Sequence, residues 1–160
     1  MSISLIITVP NEILVTKCEP ITQFGEETQK LVSDLLDTIK VARDPEGAGL
    51  AAPQIGVTKR VCVVRRFTGG KGDSGTVTTE DYVLINPVIT KFSNKKDIVW
   101  EGCLSIPDVT VQVERSENII VKAKDRDGEN IKLNASGFFA RVIQHEVDHL
   151  NGILITDKVI

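Results

Sequence analysis

"QHEVDHLNGILI" (residues 144–155) holds both histidines of the chain, His145 and His149, four positions apart with Glu146 between them. On an α-helix a residue four positions on returns to within about 40° of the same face. The two imidazoles therefore point the same way and can reach one cation. Glu146, offset by about 100°, lies beside the coordination position that such a cation keeps open. The helix is expected from about Gly137 to Leu150, with Ser136 as its N-cap. Phe138 and Val142 fall on nearly the histidine face, two turns and one turn earlier respectively, as candidate pocket walls or as ordinary core packing.

Two ligands hold a catalytic metal poorly, so a third is needed. The pattern H-E-x-x-H-x-x-G-x-x-H is followed through Gly152 and fails at Ile155. No glutamate follows His149, and Asp157, the only carboxylate side chain left, stands close to the helix end. The third ligand is therefore expected upstream. Of the three cysteines, Cys62 sits inside "VCVV", where a small buried thiol is the default. Cys18 lies among charged residues with no ligand-like context. Cys103, in "EGCLSIP", follows a glycine that interrupts a strand run, and its context favours it as the ligand. A second small core thiol is the alternative.

The remaining sequence suits one domain over 1–160 and one core. Composition is that of a globular protein, with 41% hydrophobic and 26% charged residues. A net charge of −3 without a basic tract argues against nucleic-acid or membrane surfaces as partners. Three widely spaced cysteines do not form a disulfide framework and suit a reducing compartment. "MSISLIITVP" lacks the basic start of a signal peptide, and no apolar run approaches a membrane span. "EETQKLVSDLLDTIK" reads as an amphipathic helix ending before Pro45, followed by the glycine-rich loop "GAGLAAPQIG". "RVCVVRR", "YVLINPVIT", the start of "IVWEGCLSIP", "VTVQVERS" and the two halves of "NIIVKAKDRDGENIKLN" read as strands, the last two joined at Asp127–Gly128. The polar stretch 68–81 reads as a mobile connection. The expected fold is α+β: antiparallel β-sheets packed around a central metal-binding helix.

Three stretches, "GAGLAAPQ" (47–54), "EGCLS" (101–105) and "QHEVDH" (144–149), in this order and spacing, resemble the three signature motifs of peptide deformylases. The resemblance spans about Pro10 to Asp157. It implies hydrolysis of the formyl group from the N-terminal formyl-methionine of new polypeptides, with release of formate. It implies Cys103, His145 and His149 as ligands of one divalent metal, iron(II) in the cell, replaceable by zinc, nickel or cobalt. Glu146 is then the catalytic carboxylate, and Gln54 and the Leu104 backbone N–H polarise the formyl oxygen. Glu101 pairs with Arg115 and helps hold the site. N-formyl-methionyl nascent peptides are the implied partners, in the cytoplasm of a bacterium or from a phage gene, with a mature organellar form as the alternative.

The chemistry is consistent without the resemblance. Three protein ligands leave room for a water whose pKa the metal lowers, and Glu146 can take its proton and pass it to the leaving amine. A side-chain amide and a backbone N–H are suitable donors to the developing oxyanion. Gly47 and Gly49 would let an extended substrate pair with the loop backbone. Arg141, about one turn before His145, is expected to line the pocket with its stem and send its head to solvent or Asp148. Longer bacterial members of the family carry a C-terminal helix that docks on the ribosome; this sequence ends at "ITDKVI", so any ribosome association is expected to be transient and weakened, and separately a monomer is expected. The competing readings are a peptide-bond hydrolase on the same helix and a non-catalytic metal-binding domain. The missing downstream ligand weighs against the first, and Glu146 against the second.

Overall fold

The computed structural model of the chain describes residues 1–42, 47–70 and 75–160. Its first helix, α1 (Glu26–Val41), turns one stripe inward, with Leu31, Val32, Leu35 and Ile39 buried. Two of its charged residues, Lys30 and Asp34, pair on the outer side. Seven strands follow: β1 (Gly49–Ala51), β2 (Val61–Gly69), β3 (Val77–Phe92), β4 (Lys96–Cys103), β5 (Ile106–Ser116), β6 (Asn118–Lys124) and β7 (Asn130–Ser136). Helix α2 (Gly137–Leu150) carries the histidines and spans the residues read from the sequence.

The strands form a five-stranded antiparallel sheet in the order β1-β2-β3-β6-β7 and a separate β4–β5 hairpin. "VCVV" lacks polar alternation because β2 is covered on both faces. Val61 and Val63 pack with Leu35 and Ile39 of α1, while Cys62 and Val64 pack with Val142, Ile143 and Val147 of α2. On its other side α2 touches β5. A third cluster, of Leu14, Cys103, Ile106, Val113, Leu154 and Ile155, fills the hairpin's inner face. The helix thus lies between the two sheets, as the sequence implied.

Three expectations need correction. The stretch 68–81 is largely strand: β2 and β3 pair out to Gly69↔Val77, and the hydroxyls of Thr68 and Thr78 meet at 2.6 Å. The β-branched run around Thr76–Thr79 suits a strand better than its polarity suggests; only 71–74 lie outside the described residues. The glycine-rich loop contains β1 and a 3-10 turn, Ala52–Ile55. Ser136 occupies the N-cap position of α2, but its side chain makes no capping hydrogen bond. It is also the last residue of β7, and the β7 ladder sets its conformation.

Candidate metal centre

α2 places the His145 and His149 Nε2 atoms 3.2 Å apart. The third donor arrives from the β4–β5 hairpin. Its register breaks between Gly102 and Cys103, opposite a stretch of β5 containing Pro107 and Asp108. Proline cannot donate to the ladder, and Asp108 has a φ of 62°, so the strand bulges there. Cys103 is thereby buried, with Sγ 3.3 Å from His149 Nε2. The three donor atoms lie within 4.8 Å of one another. Two nitrogens bound tetrahedrally at about 2.1 Å, and a thiolate at about 2.3 Å, stand roughly 3.4–3.6 Å apart. The Cys103–His149 and His149–His145 separations therefore come within a few tenths of an ångström of those around a small divalent ion.

Glu146 lies beside the cluster, and its Oε2 is buried with no hydrogen-bond partner among the described residues. A carboxylate oxygen in such a position is free to accept a proton from a bound molecule. Burial pushes Glu146 up to about 7, although His145 and Arg115 draw it down. Room for this carboxylate comes from Gly49: a Cβ there would collide with Glu146 Oε1. Gly47 packs against α1 instead, where a Cβ would fall 2.9 Å from Ile39 Cγ1. Both glycines have packing reasons in addition to the expected pairing with substrate.

Glu101 holds the His145 ring through Oε1···Nδ1 at 3.1 Å. Arg115 grips the same carboxylate with two bonds, Nε to Oε2 at 2.6 Å and Nη2 to Oε1 at 3.0 Å. Burial disfavours the charge, but His145 and Arg115 bring Glu101 down to about 2. Hydrogen bonds with Cys103 and Glu101 raise His145 to about 10 against the effect of burial. Burial, then the neighbouring His145, hold His149 well below its ordinary value. A donor set that attracts one proton so strongly attracts a cation for the same electrostatic reason.

A cleft of about 200 Å³ opens over the cluster. Gly47–Gly49 form one bank and Val99–Leu104 the other, with Phe138 and Val142 at the end. Both banks are strand edges among the described residues: β1 ends its sheet and β4 is hydrogen-bonded to β5. Gln54 is almost fully buried. Its Oε1 accepts from the Ala51 N–H at 2.9 Å, which aims Nε2 toward Ser105 Oγ (3.1 Å) and Cys103 Sγ (3.8 Å). Leu104 is the first residue of the two-residue turn after Cys103 and lines the cleft.

A family model described as polypeptide deformylase matches residues 3–160. A peptide deformylase of Wolbachia sp. subsp. Drosophila simulans is 44% identical over 96% of this chain and 86% of its own length. The crystal structure of Thermotoga maritima peptide deformylase superposes with a TM-score of 0.85 at 34% identity, covering 100% of this chain and 99% of that one. A Met-Ala-Ser-bound class I type b deformylase from Acinetobacter baumannii gives a TM-score of 0.85 at 34% identity, over 99% and 100% of the two chains. The chain belongs to the polypeptide deformylase family. Deformylases are metal-dependent hydrolases that remove the N-terminal formyl group from nascent polypeptides.

In this deformylase every sequence-predicted site residue lies at the cleft or in the layer behind it. Phe138 stands at the rim, 58% exposed and against Phe67, whereas Val142 is buried at the wall. Arg141 corrects the reading. Its head reaches neither solvent nor Asp148 but is buried against Glu101, Asp97 and the Val113 carbonyl, and Asp148 pairs with Arg115. Sequence reasoning also missed Ser105, buried beside Gln54 within the second motif, and Trp100, exposed on the rim. The only tryptophan of the chain, three residues before the cysteine ligand candidate, was a readable signal for the latter.

The Glu101 arrangement predicts an acid-dependent stability in protein stripped of metal by a chelator. The folded pKa of about 2 lies below the ordinary 4.5, so its stabilisation is complete above about pH 4.5. That stabilisation is lost as pH falls toward 2, and is on the order of 3 kcal/mol. The urea midpoint of the parent should exceed that of Glu101→Gln at pH 6, and the gap should close by about pH 2–2.5. A gap independent of pH would mean that Glu101 is not held ionised by these partners.

Proposed function

We propose that Cys103, His145 and His149 hold one divalent cation, and that this chain uses it to deformylate N-formyl-methionyl nascent peptides. Iron(II) is the proposed metal in the cell, with zinc, nickel or cobalt able to replace it, as a thiolate with two imidazoles permits. The observation that carries the reading is the convergence of these three donors beside the unpartnered oxygen of Glu146. When bound, the metal supplies Lewis acidity, which makes a water more acidic and draws electrons from the formyl oxygen.

The protein's own residues do the rest. Glu146 takes the proton of the attacking water and returns it to the departing amine as the C–N bond breaks and formate forms. Gln54 Nε2, locked by the Ala51 N–H, and the Leu104 N–H donate to the oxygen that gains charge at the formyl carbon. The free edges of β1 and β4 pair with the substrate backbone, which lies between them as an added strand. The Met-Ala-Ser held by the Acinetobacter baumannii relative supports a methionine-first peptide as the occupant. Val142 and the Arg141 stem wall the first side chain, with Phe138 at its rim. Arg115 and Glu101 keep His145 oriented. The described residues act as one catalytic domain, monomeric and cytoplasmic, in transient contact with the ribosome.

Substrate preference tests the pocket. Formyl-Met-Ala should be cut at least about 10-fold faster, as kcat/KM, than formyl-Gly-Ala, since each buried methylene is worth about 1–3 kcal/mol, and faster than acetyl-Met-Ala, whose extra methyl a tight formyl site excludes. Formyl-norleucine-Ala should remain a good substrate. Val142→Trp should lower kcat/KM on formyl-Met-Ala about 10-fold or more at unchanged metal content. Equal rates on formyl-Met and formyl-Gly substrates would place the first side chain elsewhere.

A further inference from the structure

Glu101 reaches across from β4 to one turn of α2. Its Oε2 accepts from Arg115 Nε and from Arg141 Nη1, and its Oε1 from Arg115 Nη2 and His145 Nδ1. A carboxylate has about four lone-pair sites, and here each meets a donor. Arg141 and His145 are four residues apart on α2, so the carboxylate bridges neighbouring side chains on one helix face. The Arg115 fork fixes the plane of the carboxylate, and the second arginine fixes where that plane lies along the helix.

The rest of the Arg141 guanidinium is equally occupied. Nη1 also donates to the Val113 carbonyl of β5 at 3.0 Å, and Nη2 to the Asp97 carbonyl at 3.0 Å and to Asp97 Oδ1 at 2.6 Å in β4. One guanidinium therefore joins α2 to both strands of the hairpin that delivers Cys103. Only 5% of Arg141 is exposed, yet it lines the cleft beside Val142. Its head faces the layer behind His145, which leaves the stem as the part that meets the cleft.

We propose that Arg141 is a positioning residue for deformylation: its guanidinium sets Glu101 against the His145 ring while its stem forms the wall met by the substrate's first side chain. Seating the substrate and orienting a metal ligand then depend on one side chain. The inference rests on the reading of Cys103, His145 and His149 as ligands. A structural role alone would show as lost folding stability, the usual cost of removing one partner of a buried ion pair, with the metal's absorption and release unchanged in the folded variant.

The test uses cobalt(II)-loaded holoenzyme, parent and Arg141→Met, with formyl-Met-Ala and formyl-Gly-Ala as substrates. Methionine keeps an apolar stem and removes the head. Expected are a fall in kcat of about 10-fold or more on both substrates, cobalt release to EDTA about 10-fold faster, and a displaced visible absorption band. Arg141→Lys should recover part of each loss. Unchanged kcat, release and absorption, with only KM for formyl-Met-Ala altered, would overturn the proposal and leave Arg141 a pocket wall. Were Arg141→Met not to fold, Asp97→Asn would decide, because it loosens the same head from the exposed side. Cobalt release about 2-fold or more faster supports the role, and an unchanged rate overturns it. Failure of the parent itself to bind cobalt would instead sink the ligand assignment.

Discussion

Glu146→Ala is expected to purify with about one metal per chain and to lose hydrolysis of formyl-Met-Ala by about 10²–10⁴-fold. The two outcomes separate because Glu146 lies outside the three converging donors. Among the described residues its Oε2 has no partner to lose, so removing the carboxylate leaves none of their donors stranded at that atom. Glu146→Gln, which keeps the volume beside Gly49, should behave the same way and excludes collapse of the cleft as the cause. Elemental analysis and a formate assay on one preparation measure both. A Glu146→Ala protein that came out metal-free under conditions that load the parent would make Glu146 a ligand and not the base.

Cys103→Ala should lose metal and activity together. The thiolate is the donor brought in from the hairpin, and two imidazoles from one helix turn are left without it. The other two cysteines serve as controls. Cys62 is fully buried between the sheet and α2, and Cys18 is buried in the same cluster. Burial pushes both thiols up, Cys18 to about 11, so neither is a ready thiolate at neutral pH. Cys62→Ala and Cys18→Ser should keep metal and most activity, at a stability cost of about 1–2 kcal/mol. Loss of metal in all three variants, each shown to be folded, would deny Cys103 a special place.

The helix of the site was legible because its information is local. The i, i+4 spacing of His145 and His149 and the position of Glu146 follow from helix geometry alone. Cys103 was not legible in that way. Its direction depends on a bulge set by Pro107 and Asp108 on the partner strand, and local residue context favours it over Cys18 and Cys62 without deciding it. β1 is three residues long and exists through its pairing with β2, so "GAGLAAPQ" shows no strand periodicity. The need for glycine at position 49 arises from Glu146, far along the chain, and no local pattern announces it. The Arg141 head was misplaced for the same reason. Its partners Asp97, Glu101 and Val113 come from the hairpin, and a helix-face argument sees only its stem. Polarity misled at 68–81, where the β-branched threonines carried the strand signal.

The most direct measurement sets formate release from formyl-Met-Ala against cleavage of an unformylated peptide of similar length, with the same metal-loaded preparation. The site described here predicts rapid formate release, abolished by Glu146→Ala, and no measurable internal cleavage. Efficient internal peptide cleavage without formate release would contradict it and make the chain a peptide-bond hydrolase on a deformylase scaffold.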